Sequence, residues 1–152
     1  MNGTISVLKT ELDQSNMKGA IAGFPDQIKQ SFIIMKNWTP RNEYSDIRTI
    51  LILGMGGSAI GGDVARVISQ NSCSLPIIVN RSYNIPEWVD SHTLVLASSY
   101  SGRTEETLSA FIHCRDRNCP IIVLSTGSKI IKYADEYGLD KITVPSGFQP
   151  RA

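Results

Sequence analysis

A chain of 152 residues with 41% hydrophobic side chains has the size and composition of one globular domain with a real core. Its 15 basic and 14 acidic side chains leave a net charge of +1, which excludes the broad positive field of a nucleic-acid or anionic-membrane binder and makes any anion site local. No apolar run approaches the roughly 20 residues needed to cross a bilayer, and no basic segment followed by an apolar one opens the chain, so a cytoplasmic protein is expected. The three cysteines, Cys73, Cys114 and Cys119, are odd in number and lack metal-ligand spacing, which suits structural thiols in a reducing compartment.

Residues 1–16 are polar with few apolar anchors and predict a loosely held arm. Pro25 suits a first helical turn, and Ile28, Phe32 and Met35 recur at helical spacing, so a helix over 25–37 is expected to pack one apolar face. Thr39-Pro40 and the polar residues after it make 38–46 a connector. The division is then 1–47, arm and helix packed on the domain, and 48–152, a ligand-binding domain.

The sequence Thr49-Ile-Leu-Ile-Leu-Gly-Met-Gly-Gly-Ser58 predicts a buried parallel strand running into a glycine turn and a helix. Gly54, Gly56 and Gly57 free the backbone to approach a ligand, and Ser58 can cap the helix. Ile60, Val64, Val67 and Ile68 form an apolar stripe expected to lie on the sheet. Gly61 and Gly62 are expected where the helix comes close to the strand or to the ligand. Strands follow at 76–80 and 93–97. The latter ends in Ser98-Ser-Tyr-Ser-Gly-Arg-Thr-Glu-Glu-Thr107, a turn rich in hydroxyls that opens a helix with Leu108, Phe111 and Ile112 on one face. A strand at 120–124, a turn at Ser125-Thr126-Gly127-Ser128, a helix over 129–137 closed by Gly138 and a strand at 141–144 complete the pattern. Repetition of strand, polar turn and helix predicts a three-layer α/β/α sandwich around a five-stranded parallel sheet, flavodoxin-like, with ligands at the carboxyl ends of its strands.

A helix N-terminus offers unpaired N–H groups and partial positive charge, so a phosphate suits such turns. Ser99, Ser101 and Thr104 add hydroxyl donors, as the three terminal oxygens of a phosphate monoester require. Capping is the alternative use of these residues. Gly54-x-Gly56-x-x-Ala59 also meets the loose dinucleotide fingerprint, but the second strand ends in Asn80-Arg81 where a ribose-binding acid belongs; only an NADP-type 2′-phosphate on Arg81 would fit. Glu105 and Glu106 favour the helix dipole and are expected to face solvent. His92, His113, Glu43 and Glu87 are expected on the surface or in packing, and Tyr100 beneath its turn.

Gly56-Gly57-Ser58 paired with Ser99-Tyr-Ser-Gly-Arg-Thr-Glu-Glu-Thr107 resembles the sugar isomerase (SIS) domain. Gly54-Met-Gly-Gly-Ser58, Asp13-Gln-Ser-Asn-Met17, Phe24-Pro-Asp-Gln27 and Pro150-Arg-Ala152 narrow this to a likeness with the bifunctional phosphoglucose/phosphomannose isomerases. The resemblance implies that Gly56, Gly57 and Ser58 line the sugar site, that Ser99, Ser101 and Thr104 grip the phosphate, and that Arg151 is the catalytic arginine beside the reacting carbons. Arg103 departs from the family's common asparagine. The implied reaction interconverts glucose 6-phosphate and/or mannose 6-phosphate with fructose 6-phosphate through an enediolate. It uses no metal and no redox cofactor. A glutamate base and a ring-opening histidine, the latter from the partner of a homodimer, are expected in a second SIS half that this chain lacks. A non-catalytic module that senses sugar phosphates is the competing expectation, and an NADP-binding oxidoreductase domain a third.

Overall fold

The computed structural model describes residue 13 and residues 16–147. Among them the elements are α1 Met17–Ala22, α2 Phe24–Asn37, β1 Thr49–Leu53, α3 Gly56–Ser69, β2 Ile77–Asn80, β3 Thr93–Ser98, α4 Glu105–Asp116, β4 Ile121–Ser125, α5 Ser128–Glu136 and β5 Asp140–Thr143. The strands form one parallel sheet in the order β2-β1-β3-β4-β5, with Leu51 beside Ile78 and Val95, and Ala97 beside Val123. The five-stranded parallel α/β/α sandwich expected from the sequence is therefore the fold. β2 and β4 each begin one residue after a proline. Pro76 and Pro120 accept ladder bonds from Ile50 and Val95 through their carbonyls but have no N–H to donate.

The chain moves one way across the sheet from β1 to β2 and the other way from β3 onward, so the order reverses between the neighbours β1 and β3. That reversal opens a crevice at their carboxyl ends, where the turns 54–58 and 99–104 lie side by side.

One face of the sheet is sealed. Leu51, Leu53, Val95, Ala97, Ile121 and Val123 form a core with Leu108 and Phe111 of α4 and Ile130 and Ala134 of α5. The other face meets α3, whose buried residues are Ala59 and Gly62. A Cβ on Gly62 would come within 3.0 Å of the Ile52 side chain and 3.2 Å of Val79, which is the close approach the glycine pair predicts. Gly61 shows none, with open space where its Cβ would be.

The stripe expected to cover the sheet points the other way: Ile60, Val64, Val67 and Ile68 are 62%, 54%, 54% and 74% exposed. Close contact through small residues turns the large ones outward. An open groove of about 750 Å³ remains beside α3, bounded by Ile52, Gly62, Val64, Leu96, Tyr100 and Leu124.

The expected helix before β1 is present as α2, but no residue of it is buried. Ile28, Phe32 and Met35 stand exposed with Phe24 and Ile33, contrary to the packing read from their spacing. What ties this end to the sheet is the segment 38–44. Trp38 donates to the Lys141 carbonyl at 2.9 Å. The carboxylate of Asp140, buried on β5, accepts from the backbone N–H groups of Arg41 and Asn42 at 2.9 and 3.0 Å and from the Tyr44 hydroxyl at 2.7 Å. Burial alone would raise the Asp140 carboxyl, but these donors outweigh it and hold the group well below the usual carboxylate range. Burial, then the bond and charge of Asp140, push the Tyr44 hydroxyl above its ordinary value. The arm over 1–16 falls outside the described residues except for Asp13 and Asn16; Asp13 accepts from the N–H groups of Met17 and Lys18 that open α1.

Candidate functional site

Three turns meet at the carboxyl ends of β1, β3 and β4. The first takes its bend at Gly56, whose φ is 51°, in the left-handed region that glycine enters without strain. Helix α3 starts there with Met55 as its N-cap and no side-chain cap. The capping role expected of Ser58 is therefore not observed. Instead its hydroxyl accepts from the Tyr100 N–H at 3.3 Å, joining the first turn to the second.

In the second turn Thr104 occupies the N-cap position of α4, also without a side-chain cap bond. Its hydroxyl oxygen lies 3.3 Å from Ser99 Oγ and 3.4 Å from Ser101 Oγ. Ser99 is buried while Ser101 is exposed, so the cluster runs from floor to mouth of the crevice. Three hydroxyls thus cluster at a helix start that no side chain caps, a donor set that suits an anion. Glu105 is exposed as expected, whereas Glu106 is half-buried, and its negative charge raises the Tyr83 hydroxyl above its ordinary value. Tyr100 is half-buried and its hydroxyl donates to the Pro145 carbonyl at 3.3 Å, reaching past β5 instead of packing beneath its turn.

The third turn presses on the second. Gly102 has φ 66°, and a Cβ there would sit 2.0 Å from the Gly127 carbonyl oxygen. Ile130 N–H donates to the Gly102 carbonyl at 3.1 Å, and the Thr126 hydroxyl donates to the Tyr100 carbonyl at 2.8 Å. Ser58 on one side and Thr126 and Ile130 on the other thus fix the backbone of the hydroxyl-bearing turn.

The first and second turns bring Gly56, Gly57, Ser58, Ser99, Ser101 and Thr104 to one end of the sheet. Arg151 lies outside the described residues. His92 is at the opposite end of β3, its ring 3.1 Å from the Asp46 carboxylate, and His113 is in the last turn of α4. Arg81 pairs with Asp63 of α3. Sequence reasoning missed the inter-turn roles of Thr126, Ser128 and Ser58, because their partners are 25 or more residues away. It also missed Thr107 on α4. Its hydroxyl is buried without a partner among the described residues, in a crevice with Gly54, Met55, Asn80 and Arg81. No group of three His, Cys, Asp or Glu side chains among the described residues is arranged to hold a metal ion.

No family model matches the chain. It is 47% identical over 133 residues to a bifunctional phosphoglucose/phosphomannose isomerase of Caldicellulosiruptor bescii, covering 88% of this chain and 39% of that protein. A protein of the same name from Thermoplasma acidophilum is 41% identical over 103 residues, 68% of this chain and 31% of that one. The chain thus spans well under half the length of these relatives. Among solved structures, the tagatose-6-phosphate ketose/aldose isomerase of Escherichia coli superposes with a TM-score of 0.53 at 13% identity, covering 86% of this chain and 35% of its own, a likeness of fold. With the glycine turn and the hydroxyl turn side by side on a sheet of this order, and with identities of this level, the chain belongs to the bifunctional phosphoglucose/phosphomannose isomerase family and carries its SIS fold.

Proposed function

We propose that this chain is the phosphosugar-binding portion of an aldose–ketose isomerase that interconverts glucose 6-phosphate and/or mannose 6-phosphate with fructose 6-phosphate. The observation that carries the reading is the cluster of Ser99, Ser101 and Thr104 hydroxyls at a helix start that no side chain caps. In this reading 48–152 is the binding domain and 1–47 its N-terminal extension. The phosphate lies over the N-terminus of α4, and Gly56, Gly57 and Ser58 border the sugar. Arg151 offers a cation to the enediolate oxygen as a proton moves between C1 and C2. The base that moves it and the acid that opens the ring, a glutamate and a histidine by resemblance, belong to the part of such proteins that this chain does not span. The protein works in the cytoplasm as a homodimer. Free cysteines among the described residues accord with a reducing compartment, and the homodimer rests on the resemblance alone.

The test is calorimetry with fructose 6-phosphate on the chain and on Ser101→Ala. Loss of a hydroxyl that meets a charged oxygen weakens binding by about 1 to 3 kcal/mol. Equal affinity of the two proteins would remove the second turn from the site.

A further inference from the structure

Arg103 stands between two of the three hydroxyl residues and is not used by the reading above. Its backbone N–H donates to Ser101 Oγ at 3.3 Å, so it is built into the hydroxyl turn itself. Its side chain crosses to the third turn, where Nε donates to Ser128 Oγ at 2.5 Å. Ser128 opens α5 and holds a left-handed backbone, φ 71°, a conformation that is strained for a non-glycine residue and concentrates at functional sites.

The charge of Arg103 is also placed differently from the rest. Arg41, Arg48, Arg81, Arg115 and Arg117 each lie within ion-pair distance of a carboxylate. Among the described residues Arg103 does not, and neither does Arg66, which faces outward from α3. With Nε committed to Ser128, the two terminal amino groups of the guanidinium remain as a planar pair of donors. That pair suits two oxygens of one phosphate. An exposed cation borne by the hydroxyl turn and anchored to the neighbouring turn, with no carboxylate beside it among the described residues, is open to an anion from solution.

We infer that Arg103, positioned by Ser128, is a substrate-binding residue that clamps the phosphate of the sugar phosphate across the second and third turns. The inference rests on the reading of the second turn as the phosphate site. Because the side chain is exposed, its contribution is electrostatic in good part and falls as salt screens it. Lysine keeps the charge but loses the fork and the Nε anchor.

The experiment is titration calorimetry of fructose 6-phosphate and of inorganic phosphate against the unaltered chain, Arg103→Gln, Arg103→Lys, Ser128→Ala and Ser101→Ala, each at low and at physiological ionic strength. Arg103→Gln is expected to weaken fructose 6-phosphate binding about tenfold at low salt, with a smaller loss at higher salt. Arg103→Lys falls between the two, and Ser128→Ala loses a few fold while keeping the salt dependence of the unaltered chain. Unchanged thermal unfolding of the Arg103 variants shows that these are losses of contact. If Arg103→Gln binds like the unaltered chain at both salt levels while Ser101→Ala is weakened, Arg103 is a solvent-facing side chain and the inference is overturned with the phosphate site intact. If Ser101→Ala also binds normally, or the unaltered chain binds neither ligand, the reading of the second turn falls and takes Arg103 with it.

Discussion

A methyl group on Gly102 would lie 2.0 Å from the Gly127 carbonyl oxygen, on a residue whose φ is 66°. Both the contact and the dihedral oppose a side chain, and the blocking atom is backbone. Gly102→Ala is expected to destabilise the fold by about 2 to 4 kcal/mol, read as a lowered urea midpoint with unchanged slope. A midpoint within error of the unaltered chain would show that the third turn gives way freely. Arg81 bears on the alternative of a nicotinamide site, for which it was the one suitable cation. Its pairing with Asp63 puts a carboxylate where a 2′-phosphate would have to sit, so NADPH is expected to give no saturable fluorescence change at micromolar concentrations. Saturable binding would revive the oxidoreductase reading. Hydroxyl density and glycine spacing are local properties, which is why the residues of both turns could be picked out of the sequence. What Ser58 bonds to is not local. A serine three residues into a glycine turn reads equally as a cap or as a strut to another turn, and only the juxtaposition of β1 and β3 decides.

The helices divide by how much of their placement a periodic pattern can carry. Leu108 and Phe111 on α4 are large, periodic and buried, so pattern and packing agree. On α3 they oppose each other. Ile60, Val64, Val67 and Ile68 share a face as their spacing says, but the spacing identifies a face without saying which way it turns, and Ala59 and Gly62 win the inner side by allowing closer approach. Ile68→Lys and Val64→Lys are therefore expected to change stability by no more than about 0.5 kcal/mol each. Had the stripe faced the sheet, each would bury a charge or leave a cavity and cost several times that. Two-state denaturation of the two variants decides between these outcomes. Strands fared better, because runs of four apolar residues in β1, β3 and β4 leave few alternatives; the limits of all five differ from the expected ones by no more than a single residue, at prolines or strand ends.

At the scale of the molecule, one buried carboxylate joins the N-terminal segment to the far edge of the sheet. Asp140 receives two backbone N–H groups and the Tyr44 hydroxyl from residues 96 or more positions away, a connection that the polar composition of 38–46 does not announce. Because its pKa is held down in the folded chain, the stability it provides is complete above the unfolded carboxyl value of about 3.9 and drains away as pH falls through that value toward the folded one. Asp140→Asn presents an amide to those donors and is expected to cost about 2 to 4 kcal/mol at neutral pH. It should also flatten the fall in melting temperature below about pH 4. A variant that melts in parallel with the unaltered chain through that range would mean that the clasp bears no weight. The two faces of the sheet are unequally held as well. Little apolar area fastens α3, which meets the sheet through Ala59 and Gly62 and carries Ser58 in its first turn, so it is expected to open locally before the core does. A ligand that engages the first turn is then expected to order a helix as well as a loop: slowed amide exchange along Gly56–Ser69 on adding fructose 6-phosphate would be the same equilibrium as binding, seen from its other end.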